Sequence, residues 1–134
     1  MAPAVLIADT DTDLCDLYRR FFSYHGWQVQ ISGGGLECLA QLRRFTPDLL
    51  ILDEQLPWGG AEGVLDVMRE EPRFEYVPVI LTFTAALPDS PSDLIVPPVV
   101  QTLPKPFSFA ALLEIMRSVM GRHARAAGRL PQES

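Results

Sequence analysis

Short unbroken apolar runs alternate along this chain with longer stretches in which apolar residues recur every three or four positions. Val5-Leu6-Ile7-Ala8 is the first run, and it ends at Asp9. Leu14, Leu17, Tyr18, Phe21 and Phe22 then fall on one face of an amphipathic helix. Thr10 and Asp13 have capping-box spacing at its start, and His25-Gly26 ends it. Trp27 to Ser32 alternates, with Trp27, Val29 and Ile31 on one side, which predicts a short edge strand. Leu36, Leu39, Ala40, Leu42 and Phe45 predict a second helix that stops before Pro47. Leu49-Leu50-Ile51-Leu52 reads as a strand buried on both faces, running straight into Asp53.

Beyond a loop at Pro57-Trp58-Gly59-Gly60, Val64, Leu65 and Met68 mark a third helix, which Pro72 closes. A fourth strand starts at Val77-Pro78-Val79-Ile80-Leu81 and runs into Thr82-Phe83-Thr84-Ala85; Val99-Val100-Gln101-Thr102-Leu103 is a fifth. Between them the period breaks. Pro88, Pro91, Pro97 and Pro98, with Pro104 and Pro106 beyond, leave room for a turn or a short helix over Ser92 to Val96 at most. Ser108 can cap a last helix whose apolar face is Phe109, Leu112, Leu113, Met116, Val119 and Met120 and which Gly121 ends. Residues 122–134 read as a flexible tail, leaving 1–121 as one folded domain. Strands alternating with helices predict a parallel α/β sheet with helices on both faces and right-handed crossovers.

Composition narrows the picture mainly by exclusion. The length of 134 residues suits one core. A net charge of −6 argues against a nucleic-acid partner, and Arg122, Arg125 and Arg129 are too few to reverse it. No apolar run approaches the ~20 residues of a membrane span, and the first eight residues lack the basic and apolar regions of a secretory signal. The expectation is a soluble cytoplasmic protein, with Cys15 and Cys38 as reduced core or near-core residues. Gly33-Gly34-Gly35 lacks the lysine of a phosphate-binding loop, and His25 and His123 read as surface residues.

The candidate chemistry lies at the strand ends. Asp9 follows the first strand, Asp53 the third, Thr84 or Thr82 the fourth and Lys105 the fifth. In a parallel sheet these ends share one edge, where α/β proteins bind ligands. Two neighbouring carboxylates call for a cation, and oxygen ligands of this kind suit Mg²⁺. A lysine and a threonine hydroxyl can hold phosphoryl oxygens. The set therefore reads as machinery for a carboxylate that accepts a phosphoryl group, with Asp53 as the working residue. A plainer reading also fits: Asp53 caps a turn, Asp9 pairs with Lys105, and Thr10 only caps a helix.

Val5 to Asp9, then Pro47 to Asp53 with Pro57, then Lys105-Pro106-Phe107 leading into an amphipathic helix, resemble the receiver domains of bacterial two-component response regulators. The resemblance runs from residue 4 to about 121. It implies a flavodoxin-like (CheY-like), doubly wound, five-stranded parallel sheet of order 2-1-3-4-5, here with helix 4 short or disrupted. It implies phosphoryl transfer to Asp53 from a histidine kinase or phosphotransfer protein, and a protein partner downstream. The implied cofactor is Mg²⁺, held by Asp9, Asp53 and the Gln55 backbone carbonyl. Lys105 and Thr84 would bind phosphoryl oxygens, and the Lys105–Pro106 peptide bond would be cis.

Several positions depart from that family. Thr10 stands where a second acidic residue usually touches the metal, which makes it a weaker ligand. Ala61 replaces a glycine, Thr102 replaces the aromatic residue of strand five, and the switch position falls on Thr84 or on Phe83 depending on the anchor used. Because the chain ends soon after the last helix, the expectation is a single-domain signalling protein, and the resemblance implies that it is not an enzyme in the usual sense. Two other classes compete. One is a pseudo-receiver, an interaction module independent of phosphate. The other is a haloacid-dehalogenase-like phosphatase with Asp9 as nucleophile and Asp11 as acid/base, suggested by Asp9-Thr10-Asp11-Thr12.

Overall fold

The computed structural model describes residues 2–57, 60–84 and 96–126, with side chains to Arg122. Five strands form one sheet: β1 (Ala4–Ala8), β2 (Gln28–Ser32), β3 (Leu49–Asp53), β4 (Val79–Thr84) and β5 (Val99–Lys105). Their order is β2-β1-β3-β4-β5, and every pair is parallel. The helices are α1 (Thr12–Tyr24), α2 (Gly35–Arg44), α3 (Gly60–Glu70) and α4 (Phe109–Ala126). The alternation predicts the parallel sheet, and its strand order is the doubly wound, flavodoxin-like one that the resemblance implies. The turn or short helix expected over Ser92 to Val96 lies, except for Val96, outside the described residues, as does Trp58.

Side-chain alternation sorts the core into two layers. Val5, Ile7, Leu49, Ile51 and Ile80 face α1 and α4, meeting Tyr18, Phe22, Leu112, Met116 and Val119. Leu6, Ala8, Leu50, Leu52, Val79 and Leu81 face α2 and α3, meeting Cys38, Leu42, Val64, Leu65 and Met68. All five residues of β3 are buried, because this strand is covered on both faces and flanked on both edges. Asp48 locks its start to β1: the Ala4 N–H donates to the Asp48 carboxylate at 2.8 Å, and the Asp48 N–H donates to the Ala4 carbonyl. Cys15 and Cys38 are free and buried, and burial pushes their thiols up to about 11 and about 12.

Several expectations need correction. Asp11, not Thr10, caps α1: its carboxylate accepts the Leu14 N–H at 3.1 Å, while Thr10 is exposed one residue earlier. Capping-box spacing misled here because two adjacent residues can both cap, and only the backbone entry angle chooses between them. Asp11→Ala should therefore cost about 1 kcal/mol in urea unfolding. Thr10→Ala should change stability by less than about 0.5 kcal/mol, and the reverse order would refute the assignment.

Gly121 does not end the last helix, which continues through Ala126; residues 122–126 are thus helix rather than tail. A glycine stops a helix by turning left-handed, as Gly26 does after α1 at φ 91°, and Gly121 keeps a negative φ. Leu17 and Leu36, placed on apolar faces by spacing, are largely exposed. A 3₁₀ turn, Pro72–Phe74, delays β4 to Val79 and buries Phe74 and Val77 beneath the sheet's entry edge.

Strand β5 is an edge strand with two irregularities. Its register with β4 jumps from Val79↔Val99 to Ile80↔Gln101, so Val100 is an extra, outward residue. Pro104, which has no N–H, sits opposite Phe83. Arg69 of α3 fastens the strand's beginning by donating to the carbonyls of Pro97 at 2.9 Å and Val96 at 3.5 Å.

Candidate functional site

The strands end in step, and this brings the predicted residues together. Alternation puts Asp9 on the same sheet side as Val5 and Ile7, and Asp53 on the same side as Leu49 and Ile51. Both carboxylates therefore emerge from the α1/α4 face at the C-terminal edge, on adjacent strands. Both are buried, Asp9 3% and Asp53 7% exposed. Each is fixed in the same way: Asp9 Oδ1 accepts the Asp11 N–H at 2.9 Å, and Asp53 Oδ1 accepts the Gln55 N–H at 3.2 Å. These are Asx turns, in which a short acidic side chain folds back on the backbone two residues ahead.

The second oxygen of each carboxylate meets one ammonium. Lys105 Nζ donates to Asp9 Oδ2 at 2.8 Å and to Asp53 Oδ2 at 3.3 Å. Burial alone would lower the lysine's pKa, but the hydrogen bond and charge of Asp9, followed by those of Asp53, outweigh it and raise it above the ordinary value. One positive charge thus serves two negative ones. The plainer reading in which Asp9 pairs with Lys105 is correct as geometry but incomplete, because Asp53 shares the same ammonium. The Lys105–Pro106 peptide bond is cis, as the resemblance implied.

On β4, Thr82 is the register partner of Asp53 and Thr84 that of Lys105. Thr82 is fully buried, and its hydroxyl has no hydrogen-bond partner among the described residues; Thr84 is exposed at the rim. Both share the sheet face of Asp53, whereas Phe83 points to the opposite one. Gln55 is exposed just beyond β3.

Two polar groups went unnoticed in the sequence. Glu54 has one buried carboxylate oxygen without a partner among the described residues, and burial, then the charge of Asp53, raises its pKa. Tyr18, counted only as an apolar-face residue, is fully buried, and its hydroxyl has no partner among the described residues. The available signal was its chemistry: a tyrosine on a core-facing stripe brings an O–H that needs a partner.

The donor set suits a hard divalent cation. It offers two buried carboxylates, with a lysine ammonium already drawn into the space between them. No cluster of three or more acidic, histidine or cysteine side chains that could hold a metal ion is found among the described residues, so exposed Thr10 adds no third carboxylate. Among those residues, too, no helix is long and apolar enough to cross a membrane.

Comparison with known proteins identifies the family. The response regulator receiver domain model matches residues 5–117. The response regulator MprA of Mycobacterium tuberculosis is 31% identical over 125 residues, covering 91% of this chain and 52% of the relative. The chain therefore spans about half the length of such curated relatives. Among solved structures, the signal receiver domain of a putative LuxO repressor protein from Vibrio parahaemolyticus superposes with a TM-score of 0.85 at 23% identity, covering 98% of this chain and 100% of that one. The receiver domain of a Pseudomonas aeruginosa sensor histidine kinase, with magnesium coordinated in its active-site cleft, gives 0.81 at 19% identity, covering 90% and 99%. Likeness at that identity speaks for the fold; the family model and the curated relative extend it to descent, and the chain belongs to the response regulator receiver domain family.

Proposed function

We propose that this receiver domain accepts a phosphoryl group on Asp53 from a histidine kinase or phosphotransfer protein and passes the resulting change to a protein partner. The observation that carries the reading is the pair of buried carboxylates on adjacent strand ends sharing the single ammonium of Lys105. A purely structural ion pair needs one acid. A second buried acid raises the cost of the site unless a further cation or a phosphoryl group is to be handled there.

Asp9, Asp53 and the Gln55 carbonyl are the residues that would hold Mg²⁺. When bound, the ion neutralises charge among the carboxylates and the oxygens of the transferring group. The chain's own residues do the rest. An Asp53 carboxylate oxygen forms the new bond to phosphorus as the bond from phosphorus to the donor imidazole nitrogen breaks. Lys105, 3.3 Å from Asp53, moves its hydrogen bonding to a phosphoryl oxygen. Thr84, at the rim beside Lys105 in register, donates its hydroxyl to another. Asp9 keeps its place beside the site, held by the Asp11 N–H.

Incubation with acetyl phosphate and Mg²⁺, followed by intact mass, tests the reading. One phosphoryl group should appear, map to the peptide containing Asp53 and fail to form with a chelator present. No adduct at any Mg²⁺ concentration, from acetyl phosphate or from phosphorylated kinase, would sink it in favour of the pseudo-receiver; an adduct on Asp9 would favour the phosphatase-like class.

The two threonines are separable. Thr84→Ala should slow phosphoryl uptake by about tenfold, the loss of one hydrogen bond to a charged group. Thr82→Val should leave stability unchanged or raise it, since it replaces an unpartnered buried hydroxyl with a methyl of the same shape. Slower uptake in Thr82→Val than in Thr84→Ala would move the oxygen-binding role to Thr82.

A further inference from the structure

The core-facing side of α1 carries one polar atom that the packing leaves unused. Tyr18 is fully buried, and its hydroxyl finds no hydrogen-bond partner among the described residues. An aliphatic or phenyl side chain would complete that apolar layer without leaving a donor unpaired, and an unpaired buried donor is costly. The ring is held firmly. It stacks on Phe22 with centroids 5.9 Å apart and lies 5.3 Å from Phe109 and 6.2 Å from Phe107. Phe107 is two residues beyond Lys105, so Tyr18 joins α1 to the segment that carries the site's ammonium.

Long side chains on a helix lean toward its N-terminus. For α1 that is the end where Asp11 caps the helix and donates to Asp9. A long side chain at position 18 is therefore directed toward that end of α1. The electrostatics agree: burial, then the charges of Asp9, Cys15 and Asp53, hold the phenol far above its ordinary range, so it stays a neutral O–H donor. Thr82, the register partner of Asp53, supplies a second unpaired hydroxyl on the same sheet face.

In the resting arrangement Lys105 serves an oxygen of each carboxylate. We infer that the Tyr18 hydroxyl is a positioning donor reserved for the phosphorylated state. When the phosphoryl oxygens draw Lys105 away, this O–H donates to Asp9 Oδ2, the carboxylate oxygen that the lysine leaves, directly or through one ordered water. The inference rests on the phosphoacceptor reading of Asp53 and adds a residue to it. Tyr18 does not touch the reacting atoms; it acts by holding Asp9, the acid beside the acceptor.

The test uses the full chain as wild type and Tyr18→Phe, which keeps the ring and removes only the hydroxyl. Thermal unfolding is followed without ligand and with Mg²⁺ plus beryllofluoride, a phosphoryl mimic titrated to saturation. The variant should melt at or above the wild-type temperature when unliganded. It should gain less on saturation and need roughly tenfold more beryllofluoride for half-saturation, one hydrogen bond to a charged group having been lost. Equal gain and equal half-saturation would show that Tyr18 only packs, and would overturn the inference while leaving the phosphoacceptor reading intact. A lower melting temperature without ligand would also overturn it, because the hydroxyl would then be in use at rest. If the wild type itself neither gains stability with the mimic nor takes a phosphoryl group from acetyl phosphate, the phosphoacceptor reading falls and this inference with it.

Discussion

Asp53→Asn should take up no phosphoryl group at all, while unfolding within about 1 kcal/mol of the wild type. The expectation combines two unequal contacts. Lys105 lies 3.3 Å from Asp53 but 2.8 Å from Asp9, so the tighter ion pair survives the substitution. The Asn side-chain oxygen can still accept the Gln55 N–H that fixes the native carboxylate. The change also removes one of two neighbouring negative charges, which offsets what the longer contact contributed. Function and stability therefore separate at this position. Asp9→Asn behaves differently. It keeps the acceptor for the Asp11 N–H but loses the 2.8 Å charge-assisted bond, and it should cost about 1.5–3 kcal/mol. It should slow phosphoryl uptake by roughly a hundredfold or more without abolishing it, because the nucleophile remains and only charge stabilisation is lost. Intact mass against time, with urea unfolding of the same samples, checks both. Residual uptake at full rate in Asp53→Asn would remove Asp53 as the acceptor.

The second large effect is on Lys105. Lys105→Met should destabilise the protein by about 2–4 kcal/mol at pH 7, less than a fully buried pair would lose because the lysine is itself partly exposed. The loss arises from the acids left behind. Asp9 and Asp53 are buried on adjacent strand ends and would face each other without a cation. Millimolar Mg²⁺ should recover stability in the variant more than in the wild type. The wild-type lysine sets its own pH dependence. Its pKa is raised on folding, so its contribution is complete below the ordinary value near ~10.4 and disappears only as pH climbs through the folded value. Urea unfolding at pH 7 with and without Mg²⁺ decides the matter, and an equal deficit in both would show that the acids are not strained by the loss.

What the sequence made legible was the part governed by strand ends. An apolar run closing on an acid fixes a direction, and parallel strands place every such end on one edge. From that, Asp9, Asp53 and Lys105 could be brought together before any coordinates. Resolution failed where two neighbours compete for one local job. Thr10 and Asp11 can both cap a helix, and the entry angle of the chain, set by packing of α1 on the sheet, selects Asp11. It failed again at Gly121, because glycine in a helix is a cost of about 1 kcal/mol rather than a stop signal, and α4 runs past it to Ala126. Spacing also overstated the apolar stripes: Leu17 and Leu36 satisfy the helical period but lie outside the arc that the sheet covers. Tyr18 shows the complementary failure. Periodicity scored it correctly as a core residue and so discarded the hydroxyl, which is the part with chemical consequence.

The extra residue at Val100 and the proline at 104 bear on how this protein behaves when concentrated. Among the described residues strand β5 has a partner strand on one flank only, and the main-chain groups of its other flank are those a passing strand would meet. A neighbouring molecule that tried to extend the sheet there would find the spacing thrown out of phase at Val100 and a donor missing at Pro104. Cross-molecular ladder growth of the kind that leads to fibres is therefore blocked at two points on this edge. A straight, proline-free version of β5 should precipitate at concentrations that the natural chain tolerates.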